Sequence, residues 1–289
     1  MNPATHSTGS AAASILKIAF IGGGNMAAAL IAGLAGTLTA GANIHVIDPN
    51  PAALQHLQAR FGVTTASAAD AALAHSDVIV LAVKPQNMRE VAVQLLPFID
   101  GGKAPLILSI AAGIRGADLA RWLGGYGAIV RCMPNTPALI GMGITGMVAL
   151  AAVSVAQKDA ADRILRAVGS TVWLDDEALI DPVTAVSGSG PAYVFYFIEA
   201  MQEAAVAMGL TAEQGQQLAL ATFTGAAQLA AQSAEPVALL RERVTSKGGT
   251  THAALASMEQ GGVREAIKTA MFAAAARGKT MGEELGAAD

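Results

Sequence analysis

Three consecutive glycines directly after an apolar run form the motif with the clearest chemical meaning. The run Leu16–Ile21 leads into Gly22-Gly23-Gly24-Asn25-Met26-Ala27, which has the spacing G-x-G-x-x-A. In this spacing the first glycine allows a tight turn, the second lets the backbone approach a pyrophosphate, and the small last residue lets a helix pack closely on a strand. The free N–H groups at the start of that helix attract phosphate. A glycine turn without a ligand is the alternative, and the strand–turn–helix context favours a dinucleotide site over it.

An acidic residue follows the second apolar run, where dinucleotide sites place a carboxylate for the ribose. Asp48 comes directly after Ile44–Ile47, and its carboxylate could accept a hydrogen bond from a ribose 2′-hydroxyl, which favours NADH over NADPH. The next Lys or Arg along the chain is Arg60, so no cation close in sequence could pair with a 2′-phosphate. The segment Asp48-Pro49-Asn50-Pro51 is equally typical of a plain turn. Both interpretations remain open at this point.

Two later apolar runs also end in candidate residues. Lys84 comes after Val78–Val83, and the segment Ser109–Gly113 overlaps the end of the run Leu106–Ile110. Because ligands of open α/β sheets bind beyond the carboxyl ends of the strands, we expect Lys84 and the backbone of 111–113 near one crevice. Lys84 could bind the nicotinamide side or a ribose, or it could be an ordinary solvated loop lysine.

A second glycine-containing loop lies near the C-terminal end. The segment Val244-Thr245-Ser246-Lys247-Gly248-Gly249-Thr250-Thr251 precedes a helical pattern that we expect to begin near His252. Thr250 or Thr251 could cap this helix. Exposed N–H groups at such a start form a site for an anion, and a small carboxylate would suit it. An ordinary capped loop between two helices is the alternative, with Lys247 as a solvated side chain.

Composition excludes several classes of protein. The chain has 289 residues, of which 53% are hydrophobic and 14% charged, so it can bury a large core and is not typical of a disordered protein. The net charge of −4 gives no basic footprint for nucleic acid. Cys132 is the single cysteine, which rules out a disulfide within the chain and indicates a reducing compartment, the cytoplasm. Residues 1–14 lack the basic start and apolar centre of a secretory signal, and we expect them to form a disordered tail.

Neither a membrane span nor a metal site is expected. Residues 132–157 carry no charge and are long enough to cross a bilayer, but Pro134 and Pro137 near their start favour a loop followed by a buried strand. Asn135 and Thr136 in this loop could face the crevice, and both are equally typical of a turn. The five histidines include no pair spaced to bind a metal with each other, with the cysteine or with a nearby carboxylate; they are His6, His45, His56, His75 and His252.

The elements that must position these residues change character along the chain. In the first part, short runs rich in Val, Ile and Leu alternate with helical patterns, which predicts a doubly wound parallel sheet. After the acidic residues 175–177 no strand pattern remains and helices are expected, the first of them interrupted at Ser187–Pro191. We therefore predict a tail at 1–14, a dinucleotide-binding domain at 15–176 and a helical domain at 177–289. The expected strands are Leu16–Ile21, Ile44–Ile47, Val78–Val83, Leu106–Ile110, Ala128–Val130 and Thr171–Leu174; the expected helices are Met26–Leu38, Pro51–Arg60, Met88–Leu96, 180–209, 211–232, 235–243, 252–260 and 263–285.

Six motifs, taken in order and spacing, resemble the pyrroline-5-carboxylate reductase family. The resemblance covers residues 16–282, and the glycine loop with Thr250 and Thr251 is its most specific part. It implies a Rossmann-like doubly wound sheet in the N-terminal half, followed by an all-α C-terminal dimerisation domain. The motifs are Phe20–Met26, Ala82–Pro85, Ser109–Gly113, Arg131–Pro137, Ser187–Tyr193 and Gly248–Thr251.

The resemblance also implies a reaction and a set of site residues. The protein would reduce 1-pyrroline-5-carboxylate to L-proline, the last step of proline biosynthesis, with a hydride from NADPH or NADH. Thr251 would hydrogen-bond the ring nitrogen and keep it protonated, while Ser246, Gly248, Gly249 and Thr250 would hold the carboxylate. The subunits would form a homodimer, which in many family members assembles into a ring of five dimers. The cofactor would contact Ile21, Gly22, Gly23, Gly24, Asn25, Met26, Asp48, Ala82, Val83, Lys84, Pro85, Ala111 and Ala112.

The sequence departs from the family pattern at two places. Lys247 stands where the family usually has proline, which would alter loop rigidity or carboxylate affinity. The region Ala66–Ala74 is rich in alanine, whereas many members have an asparagine there that contacts the adenosine ribose. Together with Asp48, this leaves the choice between NADPH and NADH open.

Rival functions are less well supported by the residues. A β-hydroxyacid dehydrogenase of the same fold would place a catalytic lysine on the first long helix after the sheet, and residues 180–209 contain neither Lys nor Arg. An imine reductase acting on another substrate is a closer rival. A non-catalytic dinucleotide-binding regulator would bind the cofactor without turnover, and the loop at Thr250-Thr251 argues against it.

Overall fold

The computed structural model describes residues 16–99 and 103–287, so the expected tail at 1–14 lies outside the described residues. The chain divides into two compact units. Among the described residues, the first comprises those up to Glu177 together with those from Glu284 onward, and the second comprises Ala178–Glu283.

The first unit is built on a single eight-stranded sheet with the order β3-β2-β1-β4-β5-β6-β7-β8. Neighbouring strands are parallel except for β6 and β7, which are antiparallel. The order reverses between β1 and β4, which is the switch point of a doubly wound sheet. The predicted fold class is therefore confirmed. The strands are β1 (Ile18–Ile21), β2 (Ile44–Ile47), β3 (Thr64–Ala66), β4 (Val78–Leu81), β5 (Leu106–Ser109), β6 (Ile129–Met133), β7 (Gly143–Ala149) and β8 (Gly169–Trp173).

Helices cover both faces of this sheet because successive strand residues point to opposite sides. In β1, Ile18 and Phe20 pack in one core cluster with Leu30, while Ala19 and Ile21 pack in a second cluster with Leu95. The continuous apolar runs in the sequence follow from this burial on both faces. The helices of the unit are α1 (Asn25–Leu34), α2 (Pro51–Phe61), α3 (Met88–Ile99), α4 (Gly116–Trp122) and α5 (Val155–Arg166).

Several elements differ from the sequence expectation. Strand β3 was not expected, because it is short and its first residue, Thr64, is exposed. Helices α4 and α5 were also not expected; α5 begins with a capping box in which the Ser154 hydroxyl accepts from the N–H of Gln157. Helix α1 ends at Leu34 rather than at residue 38, since Gly36 takes a positive φ of 80°. The uncharged segment 132–157 forms a loop and the buried strand β7, as expected.

The second unit is entirely helical within its described residues, as its sequence pattern predicts. The expected interruption at Ser187–Pro191 is present, because a wider π-type turn at Thr184–Gly188 separates the two helices there and Pro191 lies in the first turn of the second. The helices are α6 (Ile180–Val183), α7 (Gly190–Ala207), α8 (Ala212–Gln232), α9 (Val237–Arg243), α10 (Thr250–Gln260) and α11 (Val263–Gly286).

Few side chains of this helical unit are buried within the chain. Phe195, Tyr196, Met208 and Phe272 each expose more than 65% of their surface. Exposed large apolar side chains in such number are typical of a surface that another protein covers. Among the described residues, no helix combines the length and apolar character needed to cross a membrane.

One carboxylate of the first unit is held by two side-chain hydrogen-bond donors. The Oδ1 atom of Asp162 on α5 accepts a hydrogen bond of 2.6 Å from the Thr171 hydroxyl, and Arg166 pairs with Oδ2. Burial raises the pKa of Asp162, but the hydrogen bonds from Thr171 and Arg166 and the charge of Arg166 lower it by more, so the pKa lies below its ordinary value.

We therefore expect Asp162→Asn to unfold at a lower temperature than the parent at pH 7. A depressed folded-state pKa contributes stability above the unfolded pKa of about 3.9, and this contribution is lost as the pH falls through the folded-state pKa. The difference in unfolding temperature between the two proteins should shrink between pH 5 and pH 2. Asp159→Asn, at an exposed position on the same helix, is the control and should show no such trend. A constant difference for Asp162→Asn at all pH values would contradict the assignment.

Candidate active site

The loops after β1, β2 and β4 meet at the carboxyl edge of the sheet. The N–H of Gly22 donates to the carbonyl of Ile47 at 2.7 Å, and the N–H of Ala82 donates to the carbonyl of Ile21 at 2.8 Å. Gly22 adopts a φ of 100°, and a Cβ there would lie 2.6 Å from the carbonyl oxygen of Ala82. Only glycine satisfies both the backbone conformation and the close approach.

The start of α1 has the properties of an anion site. Gly24 is its N-cap residue, and no side chain of the described residues caps the helix. A Cβ on Gly24 would meet no atom within 4 Å, so the space in front of the helix is open. Asn25, the first residue of the helix, is exposed. The first N–H groups of a helix have no partner within it, and together with the helix dipole they favour phosphate.

Asp48 is bonded to both the glycine loop and its own turn. Its Oδ2 accepts from the N–H of Gly23 at 2.7 Å, and its Oδ1 accepts from the N–H of Asn50 at 2.8 Å. The turn interpretation of Asp48 is therefore correct. The interpretation as a ribose ligand stays a prediction, and the position of the carboxylate beside the glycine loop is compatible with it.

The ends of β4 and β5 belong to the same edge. The N–H of Ile110 donates to the carbonyl of Leu81 at 3.1 Å, which joins the two loops. Lys84 is exposed and precedes a short turn that begins at Pro85, and Val83 is half-buried. Ala111 is buried and Ala112 half-buried beyond β5. The structure thus gathers the candidate cofactor residues of the first unit at one edge of the sheet.

An ion pair between a buried arginine and a half-buried glutamate was not predicted from the sequence. Arg131 on β6 is 5% exposed, and its Nη1 lies 2.8 Å from Oε1 of Glu177. The same oxygen accepts from the N–H of Gly116, at the start of α4, at 2.6 Å. The signal was a charged residue inside an otherwise apolar strand pattern. Asn135 is also buried, and its Oδ1 accepts from the N–H of Ile144 at 2.9 Å, whereas Thr136 is exposed.

The candidate substrate loop lies in the second unit and leads directly into α10. The N–H of Gly249 donates to the carbonyl of Ser246 at 3.0 Å, and Gly248 takes a positive φ of 75°. The expected threonine cap is wrong, because the helix begins at Thr250, two residues earlier than expected, and Gly249 is its N-cap residue. Thr250 and Thr251 therefore lie in the first turn, where Thr250 is exposed and Thr251 half-buried.

The uncapped start of α10 can hold an anion for the same reason as the start of α1. No side chain of the described part of the chain caps it, so the N–H groups of its first turn are not bonded to a capping side chain. Ser246 and Lys247 are exposed beside it. Among the described residues, no group of three His, Cys, Asp or Glu side chains could hold a metal ion.

The two glycines of the first loop should respond differently to alanine. Gly22→Ala should lower stability by about 2–3 kcal/mol, because the new Cβ meets the Ala82 carbonyl at a backbone conformation that alanine rarely adopts. Gly24→Ala, whose Cβ would meet nothing within 4 Å, should leave the unfolding temperature nearly unchanged. Thermal unfolding of the two variants measures this. Equal stability of both would show that the loop relaxes around Gly22.

Comparisons with known proteins agree with the motifs. The family described as pyrroline-5-carboxylate reductase dimerisation matches residues 177–281, and the family described as NADP oxidoreductase, coenzyme F420-dependent, matches residues 17–113. The pyrroline-5-carboxylate reductase of Pseudomonas aeruginosa is 46% identical over 93% of this chain and 98% of its own. That of Escherichia coli is 39% identical over 88% of this chain and 94% of its own.

Solved structures show the same likeness. A pyrroline-5-carboxylate reductase from Coxiella burnetii superposes with a TM-score of 0.87 at 39% identity, covering 92% of this chain and 98% of that one. The Plasmodium falciparum pyrroline carboxylate reductase, solved with NADP bound, superposes with a TM-score of 0.82 at 30% identity over the same shares. On this evidence the chain belongs to the pyrroline-5-carboxylate reductase family, NAD(P)H-dependent oxidoreductases that reduce 1-pyrroline-5-carboxylate to L-proline.

Proposed function

We propose that this chain performs the family reaction with the dinucleotide on the glycine loop of the first unit and the imine substrate on the loop before α10. The observation that carries the proposal is that both loops end in helix starts without a side-chain cap. Such starts bind anions, and each of the two reactants carries an anionic group, a pyrophosphate on the dinucleotide and a carboxylate on the imine acid.

The residues at the carboxyl edge of the sheet suit a dinucleotide. The open space at Gly24 and the uncapped start of α1 would admit the pyrophosphate, while Asp48 would accept a bond from the adenosine ribose. Ala82–Pro85 and Ala111–Ala112 would lie along the nicotinamide half, with Ile21–Met26 beneath the pyrophosphate. NADPH or NADH supplies the hydride when bound.

The second loop would bind and orient the imine acid. Ser246, Gly248, Gly249 and Thr250 would hold the carboxylate, and the charge of exposed Lys247 would add to the attraction. The Thr251 hydroxyl would accept a hydrogen bond from the protonated ring nitrogen. A protonated C=N is the better electrophile, because a hydride forming the new C–H bond pushes the C=N electron pair onto a nitrogen that already carries its proton. Most of the acceleration of the reaction would come from holding the dinucleotide and the imine acid in the correct relative position.

The two parts of the chain would therefore have different functions. Residues 15–176 would form the dinucleotide-binding domain and residues 177–289 the helical domain for substrate and dimerisation. The exposed apolar side chains Phe195, Tyr196, Met208 and Phe272 support a second copy of the chain as the partner. We also propose that five dimers assemble into a ring and that the protein is located in the cytoplasm. The cytoplasmic location is supported by the single cysteine.

The reaction itself is tested by following NADPH or NADH absorbance after the purified protein is mixed with 1-pyrroline-5-carboxylate. We expect oxidation of the dinucleotide and formation of L-proline. Binding of dinucleotide without any oxidation would point to another imine substrate or to a regulator.

Thr251→Ala should lose most of the turnover while keeping the affinity for the dinucleotide. Losing one hydrogen bond to a charged group costs about 1.5–3 kcal/mol, so kcat should fall by roughly tenfold to a hundredfold. Thr251→Ser, which keeps the hydroxyl, is the matched control and should retain most of the activity. Steady-state kinetics with dinucleotide binding by fluorescence measures both effects. Normal turnover by Thr251→Ala would show that its hydroxyl has no such role.

The assembly is tested by light scattering after gel filtration. Dimers are expected as the smallest species, and a ring would give a mass of ten chains of 29.1 kDa each. A stable dimer at all concentrations would contradict the ring, and a stable monomer would contradict the dimer.

A further inference from the structure

We infer that the turn between β2 and α2 discriminates against the 2′-phosphate of NADPH, so that this chain works preferentially with NADH. The inference rests on the dinucleotide site proposed above and adds to it the basis for cofactor choice. It comes from the hydrogen bonds of Asp48 and Asn50 and from the distribution of charge around them.

The backbone donors of this turn are all absent or already used. Pro49 and Pro51 have no N–H, and the N–H of Asn50 donates to Oδ1 of Asp48 at 2.8 Å. The side-chain oxygen of Asn50 accepts from the N–H of Ala52 at 3.0 Å and of Ala53 at 3.4 Å.

The next donor along the chain is also used, since the N–H of Leu54 donates to the carbonyl of Asn50 at 3.2 Å. The start of α2 is therefore closed by its own cap, unlike the start of α1. A phosphate is an acceptor of hydrogen bonds, and this turn leaves it no backbone donor from residue 49 to residue 54.

Positive charge is also sparse in the sequence around this turn. Between Lys17 and Lys84 the sequence contains a single Lys or Arg, which is Arg60. It lies in the last turn of α2, about 13 Å along the helix axis from Pro51. Its guanidinium lies over the ring of Phe61 at 5.0 Å. The histidines between Lys17 and Lys84 are His45, which lies 3.3 Å from Asp70, and the exposed His56 and His75.

Asp48 itself favours the hydroxyl form of the ribose. Each carboxylate oxygen accepts one backbone bond, from Gly23 and from Asn50, and retains a further lone pair. A 2′-hydroxyl can donate to that lone pair. A 2′-phosphate carries a charge of about −1.5 to −2 at neutral pH and would meet the negative charge of the Asp48 carboxylate, while the turn from residue 48 to residue 54 contains no Lys or Arg. Asp48 would thus attract the 2′-hydroxyl of NADH and repel the 2′-phosphate of NADPH, and both effects favour NADH.

The first test measures binding of ADP-ribose and of 2′-phospho-ADP-ribose to the full-length protein by titration calorimetry at pH 8. We expect the 2′-phosphorylated ligand to bind at least about tenfold more weakly, as one unfavourable charge pair near a protein surface would produce. The ratio of kcat/KM for NADH over NADPH should follow the same direction. Low salt should enlarge the difference and high salt should reduce it.

Two substitutions on α2 distinguish the effect of a positive charge close to the turn from the effect of the overall charge of the protein. Ala52→Arg adds a cation to the exposed first turn of α2 and should improve binding of 2′-phospho-ADP-ribose about tenfold with little change for ADP-ribose. Ala59→Arg adds the same charge at an exposed position near the other end of the helix and should leave both affinities unchanged. Asp48→Asn should narrow the difference between the two ligands by removing the repelling charge.

Equal binding of the two ligands, or tighter binding of the 2′-phosphorylated one, would overturn the inference and leave the proposed dinucleotide site intact. Failure of both ligands to bind at millimolar concentration would overturn the proposed site and the inference with it. An equal gain from Ala52→Arg and Ala59→Arg would show that overall charge, rather than this turn, decides the affinity, and would also overturn it.

Discussion

The parallel pairing of β1 with both β2 and β4 is the constraint on which the candidate site depends. Ile21 pairs with Ile47 on one side and with Leu81 on the other, so three strands end at one level of the sheet. The chain must then leave β1 through a turn that the Ala82 carbonyl closely approaches, and only glycine at position 22 allows this. The positions of the glycine loop, of Asp48 and of the segment after β4 all follow from that register.

The two units differ in how they obtain stability. The sheet of the first unit is covered on both faces, and its core residues are almost completely buried. The second unit is helical and buries few of its apolar side chains within the chain. Burial of apolar surface is the main favourable term in folding. The exposed apolar side chains of the helical unit are in agreement with its match to a dimerisation family.

Buried polar groups near the carboxyl edge are held by specific partners. Arg131 has its charge balanced by Glu177, which also binds the N–H of Gly116. Removing Glu177 would leave the charge of the buried Arg131 uncompensated, which is strongly unfavourable. The pair therefore holds β6, the start of α4 and Glu177, the residue that precedes the helical unit, together. In the β2–α2 turn the polar groups are also bonded within the protein, so their hydrogen-bond donors are not available to a ligand.

Local sequence patterns were sufficient to predict the fold class, most of the strands and the positions of the candidate-site loops. Apolar runs buried on both faces, the spacing of the glycines and the loss of strand patterns after residue 177 are local signals that survive without three-dimensional context. Tertiary structure decided the elements whose local signals are weak, such as β3, α4 and α5, and it decided the bonding of polar groups. The cap of α10 fell to Gly249 rather than to a threonine, and Asp48 proved to join its turn to the glycine loop. Hydrogen-bond partners distant in sequence, such as Arg131 and Glu177, depend on which strands become neighbours, and composition or spacing cannot specify that.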